Sequence, residues 1–248
     1  MPSVLITGGN RGIGLGIVQK FLKDPSFTHV FATTRNVAKS EALTSIKDPR
    51  LHIVEMDVGN DDSVRAALSK VEAVIGSAGL DILVNNSGVL ERYPIDGPVD
   101  RALLHRIYDV NAIGVLVVIQ IFLPLLRKSA LPKVVIVGSM AGSIGATMAS
   151  FGDFGLVGYA MSKSAVNQVM KTLAVDHFND PIIFTSFCPG SVQTDMSSGH
   201  GELTNTKWST GVPITVEQST SVLVDSIKKL TKANSGGYYH RDLRAIPY

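Results

Sequence analysis

Tyr159 and Lys163 stand four residues apart at the start of a segment with helical periodicity, which sets both side chains on one face. A phenol with a free pKa near about 10 is a poor proton donor or base at neutral pH. An ammonium about 5 Å away, at an effective dielectric near 20, stabilises the phenolate by roughly 3 kcal/mol. That is roughly two pKa units, enough to bring the phenol towards a working range. Ser139 lies 20 residues before Tyr159 and closes a Val-rich run, offering a hydroxyl to hold a substrate oxygen beside the phenol. A Tyr-x-x-x-Lys pair arises by chance about 0.3 times in a chain of this composition, and then reads as an exposed helical pair. Its place after a strand, with Ser139 upstream, favours catalysis.

A second group of residues points to a bound anion. Directly after the first apolar run comes Thr7-Gly8-Gly9-Asn10-Arg11-Gly12-Ile13-Gly14, followed by an apolar helical pattern. Gly8, Gly12 and Gly14 permit a tight turn that brings backbone close to a pyrophosphate at a helix N-terminus. The spacing differs from the common Gly-x-Gly-x-x-Gly fingerprint, and an ordinary strand-to-helix turn is the alternative. The second apolar run ends Thr33-Thr34-Arg35, and no Asp or Glu occurs between Asp24 and Glu41. An acid there would hold a ribose 2′-hydroxyl and repel a 2′-phosphate, whereas a guanidinium binds phosphate through charge-assisted bonds. Arg35 alone could be a solvated surface residue; together with Arg11 and no competing acid it favours NADP(H) over NAD(H).

These groups need a scaffold, and the apolar pattern supplies one. Strands are predicted at Ser3–Thr7, His29–Thr34, Leu51–Met56, Ile82–Asn85, Val134–Val137 and Ile182–Phe187, with a weaker one near Gly237–Tyr239. Helical patterns fall at Ile13–Lys23, Asp62–Val74, Arg101–Leu126 (bent or broken), Tyr159–His177 and Val216–Leu230. Thr215 and Gln218 have capping-box spacing at the start of the last helix. Alternation of doubly apolar strands with helices predicts an α/β fold: a Rossmann-like, doubly wound parallel sheet with helices on both faces. No linker or repeat divides residues 1–248, so one domain is expected. Its active-site loops would lie near 141–158 (including Gly142, Gly145, Gly152, Gly155 and Gly158) and 195–213, where Trp208 either lines the substrate pocket or pins its loop.

Composition excludes several classes. With 45% hydrophobic and 18% charged residues and a net charge of +2, the chain is globular and carries no nucleic-acid or membrane footprint. The most apolar stretch, Ala112 to Leu126, contains Gln120 and Pro124 and is expected to be a buried helix short of a membrane span. Cys188 is the single cysteine, which rules out an intrachain disulfide and suggests a buried thiol in a reducing compartment. With no basic leader before the first apolar run, the expected location is cytoplasmic. The six histidines show no metal-ligand spacing, and no Gly-x-Ser-x-Gly hydrolase elbow occurs.

Taken in order, these motifs resemble the short-chain dehydrogenase/reductase family over almost the whole chain. Asp57-Val58 after the third strand resembles the family's adenine contact, and Asn85-Asn86-Ser87-Gly88 stands where Asn-Asn-Ala-Gly is usual. Asn111 falls in the expected central helix, and Pro189-Gly190 with Val192 and Thr194 resembles the nicotinamide-side loop. Within the family the pattern is most similar to sniffer-type carbonyl reductases and C-factor proteins. The resemblance implies a cofactor site of Gly8, Asn10, Arg11, Gly12, Ile13, Gly14, Arg35, Asp57, Val58, Asn86, Ser87, Gly88, Pro189, Gly190, Val192 and Thr194, with Tyr159 and Lys163 on the nicotinamide side. It implies hydride transfer from NADPH to an aldehyde, ketone or quinone, with Tyr159 as proton donor. Lys163 would bind the nicotinamide ribose, and Asn111 would support a water-linked proton path to it. Ser139 precedes Tyr159 by 20 residues, which exceeds the family's usual spacing and enlarges the intervening loop. Two other readings stay open: an NADP(H)-binding regulatory protein with incidental activity, and a steroid or acyl-thioester reductase. The expected partner is a small carbonyl compound; a homodimer or homotetramer is compatible with the sequence.

Overall fold

The computed structural model describes residues 2–146, 155–198 and 213–248. Seven strands form one sheet: β1 (Ser3–Ile6), β2 (His29–Thr34), β3 (Leu51–Glu55), β4 (Ile82–Asn85), β5 (Lys133–Val137), β6 (Ile183–Cys188) and β7 (Gly237–His240). Their order is β3-β2-β1-β4-β5-β6-β7, and every pair is parallel. Strands β1, β4, β5 and β6 are buried at every position, which is why β1, β4 and β5 read as near-continuous apolar runs, while β6 also buries Thr185 and Ser186. The chain leaves β1 in one direction for β2 and returns to its other side for β4. Such a reversal opens a crevice at the carboxyl ends of the strands.

Helices α1 (Gly12–Lys23), α2 (Glu41–Thr44), α3 (Asp61–Ile75), α4 (Arg101–Tyr108), α5 (Gly114–Leu126), α6 (Val157–Asp176), α7 (Asp195–Ser198) and α8 (Val216–Lys229) complete the described fold. One core joins the sheet to α3, α5 and α6 through Val71, Phe122 and Met170; the opposite core joins it to α1 and α8 through Phe21 and Ile227. A sheet covered on both faces is the predicted architecture. Local chemistry fixes the helix starts. Asn60 caps α3, Asp100 caps α4, and Thr215 with Gln218 forms the complete capping box of α8.

Some boundaries differ from the pattern. β1 ends at Ile6 because Thr7 already belongs to the turn, and α6 begins two residues before Tyr159. α2 and the preceding tight turn Val37–Lys39 are absent from the pattern, being too short to show a period. The break in Arg101–Leu126 is a π turn, Asp109–Ile113, between α4 and α5. There Gly114 passes close to the β3–α3 connection: a Cβ would sit 2.5 Å from the Val58 carbonyl oxygen. Taken through that turn, Arg101–Leu126 spans 26 residues and holds an 18-residue window of mean hydropathy 2.1, long and apolar enough to cross a membrane by length and composition. Half of its most apolar window is buried in the core. Trp208, Gly152 and most of the 195–213 loop lie outside the described residues.

Candidate active site

The turns after six strands, β1 to β6, meet over the crevice. The glycine turn after β1 is tied to the turn after β4: Asn86 Nδ2 donates to the carbonyl oxygens of Thr7 and Gly8 at 2.9 and 3.1 Å. Thr7 Oγ1 returns the link by accepting from the N–H groups of Asn86 and Ser87 at 3.0 and 2.9 Å. Gly14 is required here, since a Cβ would stand 2.2 Å from the Gly8 carbonyl oxygen and 2.5 Å from Asn86 Nδ2. Arg11, the residue before α1, makes no side-chain cap, and no acid sits in the first turn. The first backbone N–H groups of α1 therefore carry partial positive charge without an intrahelical partner, an anion site in its own right.

These turns enclose a cleft of about 580 Å³ that runs from Arg35 to Tyr159. All of the residues expected to contact the cofactor line it, and so do Ser139, Tyr159 and Lys163. Sequence reading missed Lys39, which lines the same end as Arg35 and Asn36. The signal was present: Lys39 falls inside the acid-free window, and Asn36 caps the tight turn that brings it round, accepting from the Lys39 N–H at 3.1 Å. No ion pair involving Arg35 or Lys39 occurs among the described residues. Arg11 instead meets Asp195 at 3.4 Å across the mouth; with side chains 61% and 78% exposed, the pair is worth little. Arg35 and Lys39 place two cations at this end, with Asp57 and Val58 of the turn after β3 lining the same cleft.

Asn111 does not line the cleft. It is fully buried behind it, where the π turn directs its amide onto Val89: Oδ1 accepts from the Val89 N–H and Nδ2 donates to the Val89 carbonyl, each at 2.8 Å. Nδ2 also reaches Ser162 Oγ at 3.0 Å, and Ser162 Oγ donates to the Tyr159 carbonyl at 2.7 Å. Asn111 thus ties the β4 turn to the helix that carries Tyr159 and Lys163.

Tyr159 and Lys163 are 6% and 5% exposed, with Nζ 5.7 Å from the phenol ring centroid. Lys163 Nζ donates to the Val137 carbonyl at 3.3 Å, and the Tyr159 hydroxyl hydrogen-bonds the Ser139 side chain. Spacing predicts an acidified phenol, and here the structure corrects the expectation. Burial pushes the Tyr159 phenol up to about 12, with the Ser139 hydrogen bond working against it. Burial likewise pushes the Lys163 ammonium down to about 8. Desolvation is the largest cause of both shifts. Cys188, the last residue of β6, is a buried thiol whose sulfur accepts from the N–H groups of Gly190 and Met140. It links the turn after β6 to the turn after Ser139.

Fold and cleft together define a class: the chain belongs to the short-chain dehydrogenase family, whose model matches residues 2–204, and it is an oxidoreductase of that family. Among its relatives is an uncharacterized oxidoreductase of Schizosaccharomyces pombe, 32% identical and covering 98% of this chain and 96% of the relative. Similar solved structures include Sniffer of Caenorhabditis elegans, 35% identical with a TM-score of 0.86 and full coverage of both chains. The carbonyl reductase Sniffer of D. melanogaster is 29% identical with a TM-score of 0.88, again with full coverage. An NADPH-bound carbonyl reductase from chicken fatty liver has the same identity and TM-score, with 100% of this chain and 94% of that one covered.

Proposed function

We propose that the protein is an NADPH-dependent carbonyl reductase acting on a small aldehyde, ketone or quinone. The observation that carries this reading is the convergence of Ser139, Tyr159 and Lys163 on one end of a cleft whose other end presents Arg35 and Lys39. NADPH bound there would supply the hydride. Ser139 and Tyr159 hold the carbonyl oxygen between their hydroxyls. As hydride adds to the carbonyl carbon, the C=O π pair moves to oxygen and takes the Tyr159 proton, leaving an alcohol and a phenolate. A phenol held near about 12 carries its proton at neutral pH and suits the acid role in reduction. Lys163, with its ammonium near about 8, is mostly charged at pH 7 and stabilises the phenolate that the transfer leaves. Asn111 acts by fixing the turn and the helix around them. Its side chain is taken up by Val89 and Ser162, so the proposed proton path to Lys163 does not use that amide.

The test is NADPH and NADH oxidation over a panel of aldehydes, ketones and quinones, with wild type and Tyr159→Phe. Loss of the general acid is expected to lower kcat by roughly 10²- to 10⁴-fold while NADPH binding is kept. Near-wild-type turnover in the variant would refute the role given to Tyr159.

A further inference from the structure

The main chain around Ser139 is gripped from two neighbouring strands. The Gly138 N–H donates to the Phe187 carbonyl at 2.7 Å, and the Met140 N–H donates to the Cys188 sulfur, so β6 holds the residues on either side. Ser139 itself is held from β7. The Tyr238 hydroxyl, reaching past β6, donates to the Ser139 carbonyl oxygen, which also accepts from the Gly142 N–H at 2.8 Å. Tyr238 is 2% exposed, and burial keeps its phenol protonated, hence a donor. Its ring meets that of Tyr248 at a tilt of 41°, 5.8 Å between centroids, and its own carbonyl accepts from the Ile246 N–H at 2.8 Å. The same C-terminal segment holds the chain just past that turn: Ser143 Oγ donates to the Pro247 carbonyl at 2.5 Å and the Gly145 N–H to the Tyr248 carbonyl at 2.9 Å.

We infer that Tyr238 is a positioning residue for the reductase step: its hydroxyl fixes the Ser139 main chain, and so the place of Ser139 Oγ against the Tyr159 hydroxyl. The inference rests on the reading of Ser139 as the residue that holds the substrate oxygen. Without the hydroxyl, the Ser139 carbonyl keeps only the bond within its own tight turn, and Met140 packing near Tyr238 is what remains of its tie to β7. Ser139 Oγ also accepts from the Ala141 N–H at 3.2 Å, so a tilt of the turn carries the hydroxyl with it. Displacement of a reacting group by about 1 Å costs up to about 100-fold in rate.

Tyr238→Phe keeps the buried ring and removes only the hydroxyl. The test combines it with Ser139→Ala in a double-mutant cycle, scored by steady-state kinetics, NADPH binding and crystal structures. Tyr238→Phe is expected to lower kcat roughly 10- to 100-fold, with the NADPH dissociation constant within about two-fold of wild type. In the Ser139→Ala background it should have no further effect on kcat, because the group it positions is gone. Wild-type kcat in Tyr238→Phe, or losses that multiply in the double variant, would overturn the inference. The crystal structures provide a readout independent of turnover: a Ser139–Tyr159 contact preserved in Tyr238→Phe also overturns it. A wild-type protein inactive on the whole carbonyl panel would instead defeat the reductase reading, and the position of Ser139 in the two crystal structures would then decide the role of Tyr238.

Discussion

Lys163→Met should stabilise the protein while abolishing its activity. Burial lowers the ammonium from 10.5 to about 8, so the folded chain at pH 7 carries a charge it would hold more cheaply unfolded. Each tenfold change in proton affinity is worth about 1.4 kcal/mol, so this costs about 3 kcal/mol. Methionine has a similar length and no charge, and its introduction forfeits the 3.3 Å bond to Val137, worth about 1 kcal/mol. The expected net gain is about 2 kcal/mol, or roughly 4–8 °C in Tm for a domain of this size. The sign with pH follows from the depressed value. Wild-type stability from this group is complete above 10.5 and is lost as pH falls towards about 8. The advantage of Met is therefore greatest near neutrality and shrinks to about zero near pH 9.5. Urea denaturation of both proteins at pH 7 and 9.5, without nucleotide, reads this directly. A Met variant less stable than wild type at pH 7, or a difference independent of pH, would refute the claim that the ammonium is held at a cost.

The same proton governs turnover. With NADPH saturating, kcat for reduction should fall as pH rises through about 8, where Lys163 loses its charge; a rate flat to pH 10 would contradict its role. Replacing both Arg35 and Lys39 by Ala should weaken NADPH binding by roughly 10- to 100-fold, on the scale of one or two lost charge-assisted bonds, and leave NADH unchanged. Fluorescence titration with each nucleotide distinguishes that from an equal loss of both.

Much of this was legible in the sequence because it rests on local rules. Gly14 cannot bear a Cβ against Gly8, Thr215 and Gln218 cap each other, and β4 and β5 are apolar on both faces; each leaves its mark in residue type. Lys39 escapes a sequence reading because the three-residue tight turn that carries it has no period to betray it. The phenol is misread for another reason. Spacing places an ammonium near Tyr159, but only the packed structure shows that both groups have lost their water. The grip of Tyr238 on Ser139 joins residues 99 apart in sequence through a sheet order that no motif announces.

Beyond β7 the chain turns at Leu243, whose φ is 65°, and doubles back. Tyr239 then faces Ala245 in an antiparallel bridge, with the His240 N–H donating to the Arg244 carbonyl at 2.8 Å. Part of the outer row of β7 is thereby spent on its own neighbour. An open strand edge is a template on which other chains aggregate. At this margin the molecule supplies its own blocking segment, and shortening it would expose adhesive backbone at the same time as it loosened the serine loop.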